Sequence, residues 1–226
     1  MNSKHVILFL LVFSIGEGFA QLNETTDFPG AKKDDLFFDL RLGYPNWGAF
    51  NTERHVSGLE ITSLTTTGIA PVSARFEIML SNELSVALEG VFNSWGGEWT
   101  YVPELYDGDF NPIGEPVTTS YSAQRLRFLA GLKYHVNDIN VDNLDVYGGV
   151  FIGTNRIWSE YESDDEDFRL ENQNYFLYQE LAPQFPISWS FRVGMRYFLS
   201  HNLGLTIEAG LGGSTISAGL SYRIRN

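Results

Sequence analysis

His55-Val56-Ser57 sits between Glu53 and Glu60, so one short stretch carries an imidazole, a hydroxyl and two carboxylates. Nucleophilic chemistry needs a base and an orienting group held in mutual reach of the nucleophile. Here the groups share only sequence proximity, in a connection between strands, and no catalytic residue is assigned. The run Ser163-Asp164-Asp165-Glu166-Asp167 offers the hard oxygen ligands that calcium takes. It lacks the central Gly and terminal Glu of a calcium loop and is read as a solvated acidic connection, with no metal site. His135 and His201 lie beside or within tight connections and are read as solvated turn residues. Gly148-Gly149 falls inside a strand, which is no place for a phosphate loop, and no cofactor is expected.

A larger set of charged residues has a spacing with consequences. Asp39, Arg41, Arg75, Glu77, Glu89, Arg127, Lys133, Asp145, Arg192, Arg196, Glu208 and Arg223 all fall on one side of a strict apolar/polar alternation. Their chemistry is ion pairing: seven are basic and five acidic, and neighbouring strands can bring opposite signs together. The alternation runs through Leu36 to Tyr44, Val72 to Leu80, Leu84 to Phe92, Leu126 to Val136, Leu144 to Ile152, Phe191 to Leu199, Leu203 to Leu211 and Ile216 to Ile224. Successive strand side chains point to opposite faces, so each residue is assigned to one wall of a sheet. The other wall is aliphatic, aromatic, Ala or Gly throughout, as in Leu203, Leu205, Ile207, Ala209 and Leu211.

At 226 residues the chain suffices for one barrel or sandwich. Residues 1–20 read as a secretory signal, with Lys4, an apolar core from Val6 to Ile15, and Gly18-Phe19-Ala20 before a cleavage point. Residues 21–34 form a polar lead broken by Phe28-Pro29-Gly30, and residues 35–226 are the barrel domain. Without cysteine there is neither a lipidated N-terminus nor a disulfide framework. The net charge of −13 argues against a nucleic-acid partner, which needs clustered Lys and Arg. No later stretch reaches the ~20 apolar residues of a membrane helix, so any crossing is made by strands.

The connections alternate in length. Pro45 to Pro71, Asn93 to Tyr121 and Gly153 to Ile187 are long; Ser81 to Glu83 and Ser200 to Asn202 are tight and Asn137 to Asn143 is moderate. Only the last hairpin, at Gly212-Gly213-Ser214, breaks the alternation by being short at the end where the others are long. Glu98, Glu104, Asp107, Asp109 and Glu115 are placed in one long connection, and Glu160, Glu162, Asp164 to Asp167 and Glu171 in another. Tyr44, Trp47, Phe50, Trp95, Trp99, Tyr101, Tyr121, Trp158, Tyr161 and Trp189 flank the long connections, while Tyr134, Tyr197 and Tyr222 fall toward the short ones. These are read as aromatic girdles at the two membrane interfaces, with short turns periplasmic and long loops extracellular.

Alternation alone also fits a lipocalin-like soluble barrel with an apolar cavity. Small residues on the charged wall, including Gly43, Gly131, Gly149, Gly153, Gly194, Gly204, Gly210 and Gly219, suit instead a crowded interior that side chains fill. A lipid-facing Arg or Lys costs roughly 2–4 kcal/mol at the bilayer midplane, so the charged wall must face inward. The expected fold is therefore all-β: a closed antiparallel up-and-down transmembrane β-barrel of eight strands. Its interior ions must find partners among themselves or among polar neighbours.

The phrases Pro71-Val72-Ser73-Ala74-Arg75-Phe76-Glu77, Leu84 to Gly90, Leu132-Lys133-Tyr134-His135-Val136, Asp145 to Gly153, Gly194 to Phe198 and Glu208 to Gly212, with the ending Gly219 to Ile224, resemble small outer-membrane β-barrel domain proteins common in Bacteroidetes. These are similar in architecture to OmpA-like and OmpX-like eight-stranded barrels. The ending departs from that pattern, because Arg225 and Asn226 follow Ile224 and the terminal aromatic cue falls to Tyr222. The resemblance implies a bacterial outer-membrane location after Sec-type export and cleavage following Ala20. Its implied partners are membrane lipid and lipopolysaccharide, the barrel assembly machinery during insertion, and an extracellular partner reached through the loops; the chain is expected to be a monomer. The function read here is a non-enzymatic scaffold with acidic and aromatic surface loops. A narrow pore for ions or small solutes is the alternative, followed by a soluble ligand-binding barrel and a lipid A-modifying enzyme. That last activity would draw on His55 and Ser57, which do not lie on a lipid-facing strand.

Overall fold

The computed structural model describes residues 31–49, 61–102, 115–136, 143–164 and 186–224. Eight strands follow in chain order: β1 (Leu36–Tyr44), β2 (Ile61–Met79), β3 (Leu84–Tyr101), β4 (Val117–Val136), β5 (Leu144–Ser163), β6 (Ile187–Phe198), β7 (Leu203–Leu211) and β8 (Ile216–Ile224). Each pairs antiparallel with the next, and β1 pairs with β8, so the sheet is a closed up-and-down barrel. Closure leaves no ladder edge, which a strand crossing hydrocarbon requires.

The two walls follow the alternation. On β1, Phe37, Asp39, Arg41 and Gly43 are buried while Phe38, Leu40, Leu42 and Tyr44 are exposed. Leu88 and Leu211 are each 65% exposed, whereas Arg196 and Glu77 are 0% exposed. That inverts the distribution of a water-soluble protein, in which large contiguous apolar surface is rare. A lipocalin-like barrel with an apolar cavity is thereby excluded. At Gly219 a Cβ would lie 1.9 Å from the Leu40 carbonyl oxygen, so the interior wall there admits no side chain.

Five strands run farther than the alternation predicts, β6 modestly, beginning at Ile187 rather than Phe191, and four of them by nine residues or more. β2 begins at Ile61 rather than Val72, β3 ends at Tyr101 rather than Phe92, β4 begins at Val117 rather than Leu126, and β5 ends at Ser163 rather than Ile152. The apolar period itself stops at Val72, Phe92, Leu126 and Ile152, because the outward residues change character there. Phe92 gives way to Ser94 and Glu98, Leu126 to Gln124 and Ser122, and Ile152 to Thr154 and Arg156. The ladder continues through this polar stretch, with Ser94 opposite Gln124 and Arg125 opposite Ile157. Ser and Thr hold a solvated strand without marking it as amphipathic. Glu98, Glu160 and Glu162 are therefore exposed strand residues, not loop residues. On β2 the change coincides with a register shift between Ile69 and Val72, next to Pro71, which has no N–H to give the ladder.

The aromatic girdle divides. Tyr44, Trp47, Trp158 and Trp189 are exposed toward the long-connection end, and Tyr134, Tyr197 and Tyr222 toward the other. Trp95, Trp99, Tyr101 and Tyr121, expected in the girdle, are instead buried together with Ala123, with Tyr161 and Ile157 packed against them. They share the inward parity of Glu89 and Arg127 and form the core of the extended sheet. Phe50, His55 and Ser57, and most of the acidic run after Asp164, lie outside the described residues.

At the short-turn end Ala31, Phe37, Met79 and Phe198 form a buried apolar cluster. Residues 31–34, read as lead, join the barrel there: Asp34 N–H donates to the Met79 carbonyl at 3.1 Å, and Met79 N–H to the Asp35 carbonyl at 3.0 Å.

Candidate functional site

The inward wall assembles the charged residues in layers. Beside the apolar cluster, at the short-turn end, Arg223 reaches Asp35 at 3.8 Å and donates from Nε to the His201 carbonyl at 2.7 Å. The next layer is built from β1, β2, β4, β5 and β6. Arg196 spans three carboxylates, with Nη1 3.0 Å from Asp145 and Nη2 3.1 Å from Asp39 and 2.9 Å from Glu77. Lys133 Nζ lies 2.6 Å from Glu77 and 3.4 Å from the centre of the Tyr147 ring.

His135 completes this layer, which corrects its reading as a solvated turn residue. It is 0% exposed. Its Nδ1 is 2.7 Å from Asp145 and its Nε2 2.9 Å from Glu77. Ser85 Oγ donates to Glu77 at 2.7 Å and lies 3.0 Å from His135 Nε2. Ionised carboxylates only accept, so two of them at opposite ring nitrogens are both satisfied by the doubly protonated imidazolium. Asp39, Glu77 and Asp145 are then matched in charge by Lys133, Arg196 and His135. The signal was present in the sequence: His135 stands two residues from Lys133 on the same face of β4.

Ser85, His135 and Asp145 are linked as hydroxyl, imidazole and carboxylate, an order familiar from hydrolases. Ser85 and His135 are both 0% exposed, and the Ser85 hydroxyl is committed to Glu77. The arrangement holds the wall together and presents no nucleophile to a substrate.

A second layer lies toward the long-connection end. Glu89 accepts from Arg41 Nη2 at 2.7 Å, from Arg75 Nε at 2.8 Å and from Arg192 Nη1 at 2.7 Å. Glu208 accepts from Arg41 and Arg75, and from the Tyr147 hydroxyl at 2.9 Å. Arg75 and Arg192 also lie over the Phe151 ring, at 4.7 and 5.2 Å from its centre. The two carboxylates thus tie together β1, β2, β3, β6 and β7 across the lumen. Buried ion pairs add little net stability, but removing one partner strands the other, so such a layer fixes one arrangement of the wall.

No family model matches the chain, and no curated protein matches it in sequence. Solved structures do. The chain is similar to the outer membrane protein OprG from Pseudomonas aeruginosa at 11% identity, covering 87% of this chain and 99% of that one, with a TM-score of 0.46. It is also similar to a de novo designed transmembrane β-barrel at 15% identity, covering 86% and 99%, with a TM-score of 0.41. A third is the N-terminal β-barrel domain of OprF from Pseudomonas aeruginosa, at 9% identity, 86% and 100% coverage and a TM-score of 0.31.

Two arginines stand apart from both ionic layers. Arg127 donates from Nη1 to the Gly212 carbonyl at 2.6 Å, reaching across the lumen from β4 to the turn between β7 and β8. Arg125, absent from the set read from sequence, donates from Nε to Asn155 Oδ1 at 2.7 Å. It was missed because the apolar alternation ends at Leu126, although Arg125 keeps the inward parity of Arg127. The described residues therefore bring ten of the twelve sequence-assigned ions into two carboxylate-centred layers. Arg223 sits with Asp35 at the short-turn end, and Arg127 sits with a backbone carbonyl.

Proposed function

We propose that this chain is an integral protein of a bacterial outer membrane, a closed barrel that carries a polar four-stranded sheet above the bilayer for contact with a surface or partner. The observation that carries the reading is the abrupt change of the outward wall. It is apolar for about nine residues on every strand, which at ~3.3 Å per residue and ~45° tilt spans roughly 20 Å, close to the ~25 Å apolar band of such barrels. Above that level β2 to β5 continue mainly with Ser, Thr, Gln and Glu outward, the large exposed exceptions being Leu64, Ile69, Arg156 and Trp158. Lipid suits the first wall and water the second. Periplasmic short turns and export with cleavage after Ala20 belong to the same reading.

The role assigned is a non-enzymatic scaffold. Ionic layers held by Glu89, Glu208 and Glu77 cross the lumen at two levels, which favours a closed barrel over a narrow pore. Two experiments test this. Detergent extraction of isolated outer membranes should recover the protein as a heat-modifiable band on gels; recovery as a soluble species overturns the location. In a planar bilayer the purified chain should be closed or weakly conducting. Large stable conductance would replace the scaffold with the pore.

A further inference from the structure

The lumen is not electrically uniform. Its lower layer balances, but from Arg41 and Arg75 upward five guanidiniums, those of Arg41, Arg75, Arg125, Arg127 and Arg192, face the two carboxylates of Glu89 and Glu208. Among the described residues neither Arg125 nor Arg127 has a carboxylate partner; each is held by a neutral oxygen, of Asn155 and of Gly212. Arg192 shares Glu89 with Arg41 and Arg75 and reaches Glu208 only at 3.5 Å. Arg127 is 2% exposed; the like charges of Arg125 and Arg192 act on it, as does the opposite charge of Glu89 in the layer below.

Above the Glu89 and Glu208 layer, Arg127 Nε and Ser190 Oγ are buried with no hydrogen-bond partner among the described residues. They belong to one place. Arg127 is anchored on the Gly212 carbonyl, its guanidinium nitrogens lie 3.0 and 3.2 Å from where a Gly213 Cβ would stand, and a Gly212 Cβ would be 3.0 Å from Ser190 Cα. Ser190 is two residues above Arg192 on the inward face of β6. Water reaches the region, since the Arg192 side chain is 11% exposed. Below it, the Glu89 and Glu208 layer closes the lumen.

We propose that the upper lumen is a binding site for a small oxyanion of the phosphate class, held by Arg125, Arg127 and Arg192 with Ser190 as a hydroxyl donor. The chemistry is specific. Guanidinium forks match the paired oxygens of a phosphate, and unpaired buried cations are costly until an anion arrives. The floor makes this a dead-end site rather than a conduit, so binding requires no transport. The proposal goes beyond the scaffold reading and does not depend on it.

The test uses the full mature chain in a zwitterionic detergent, titrated with inorganic phosphate against sodium chloride at matched ionic strength. Thermal unfolding and phosphorus NMR linewidth are the two readouts. Phosphate should raise the unfolding midpoint saturably beyond chloride and broaden the phosphate resonance. Arg125→Gln, a half-buried position whose loss leaves the barrel intact, should weaken phosphate binding by about tenfold or more, as expected for one charge-assisted hydrogen bond. The Arg125→Gln/Arg127→Gln double variant should lose the effect and, without phosphate, unfold no earlier than the unsubstituted chain, because it removes repulsion. No phosphate effect beyond chloride, or an equal effect in the double variant, overturns the proposal. A double variant that unfolds early without phosphate also overturns it, since Arg125 and Arg127 would then be structural cations rather than an unfilled site.

Discussion

Replacing Glu89 with Gln should destabilise the barrel by about 3–5 kcal/mol, the usual cost of stranding buried charges. Glu89 is 3% exposed and accepts from three arginines, Arg41, Arg75 and Arg192. Gln keeps one acceptor oxygen and turns an NH2 group toward guanidinium donors, so at least one arginine loses its partner and meets another donor. Glu208 alone then faces three cations. Relative to a typical ~5–15 kcal/mol total, the change moves the folding equilibrium by about two to more than three orders of magnitude. Urea titration of the protein in lipid vesicles, followed by tryptophan fluorescence, reads the shift in midpoint. Adding Arg192→Gln should recover part of the loss, because it removes one of the stranded cations. In planar bilayers the single variant should open more often than the unsubstituted chain, as freed arginines leave the lumen's cross-section. An unchanged midpoint in Glu89→Gln would refute the view that this carboxylate organises the upper layer.

Leu88→Arg, at a 65% exposed position on the lipid wall, should cost roughly 2–4 kcal/mol and lower insertion yield, while Ser217→Arg on the inward wall should be milder; folding yield into vesicles compares them. His135→Leu leaves Glu77 and Asp145 each short of a donor and should cost about 3–5 kcal/mol, measured by the same urea titration; a neutral result would mean the lower layer does not use the imidazolium. Gly219→Ala should cost about 1–3 kcal/mol by overpacking, since its Cβ would meet the Leu40 carbonyl at 1.9 Å and only a backbone shift relieves it.

The sequence alone determined the wall assignment and, through it, the closed eight-stranded fold. Period-2 alternation is a local property: whether Arg75 or Phe76 faces the lumen depends only on their being neighbours on one strand. β1, β7 and β8 begin and end where the apolar period does, because there the strand and the lipid-facing band coincide. On β2 to β5 the alternation reports the band and not the strand. A solvated ladder of Ser, Thr and Gln carries no such contrast, so Arg125 and the buried Trp99 core lay in what read as connection.

Only the tertiary structure decided which charges meet. Arg196 and Asp39 are far apart in sequence and 3.1 Å apart in space, a pairing set by barrel closure and register across strands that alternation does not encode. The same holds for His135, whose position beside a turn suggested solvent. Its burial follows from β2, β3 and β5 bringing Glu77, Ser85 and Asp145 around it. The residues that could enter the lumen were written in the chain. Among the described residues Arg125 and Arg127 end there without a carboxylate partner, because strand register sets Glu89, opposite Leu129, one layer below them.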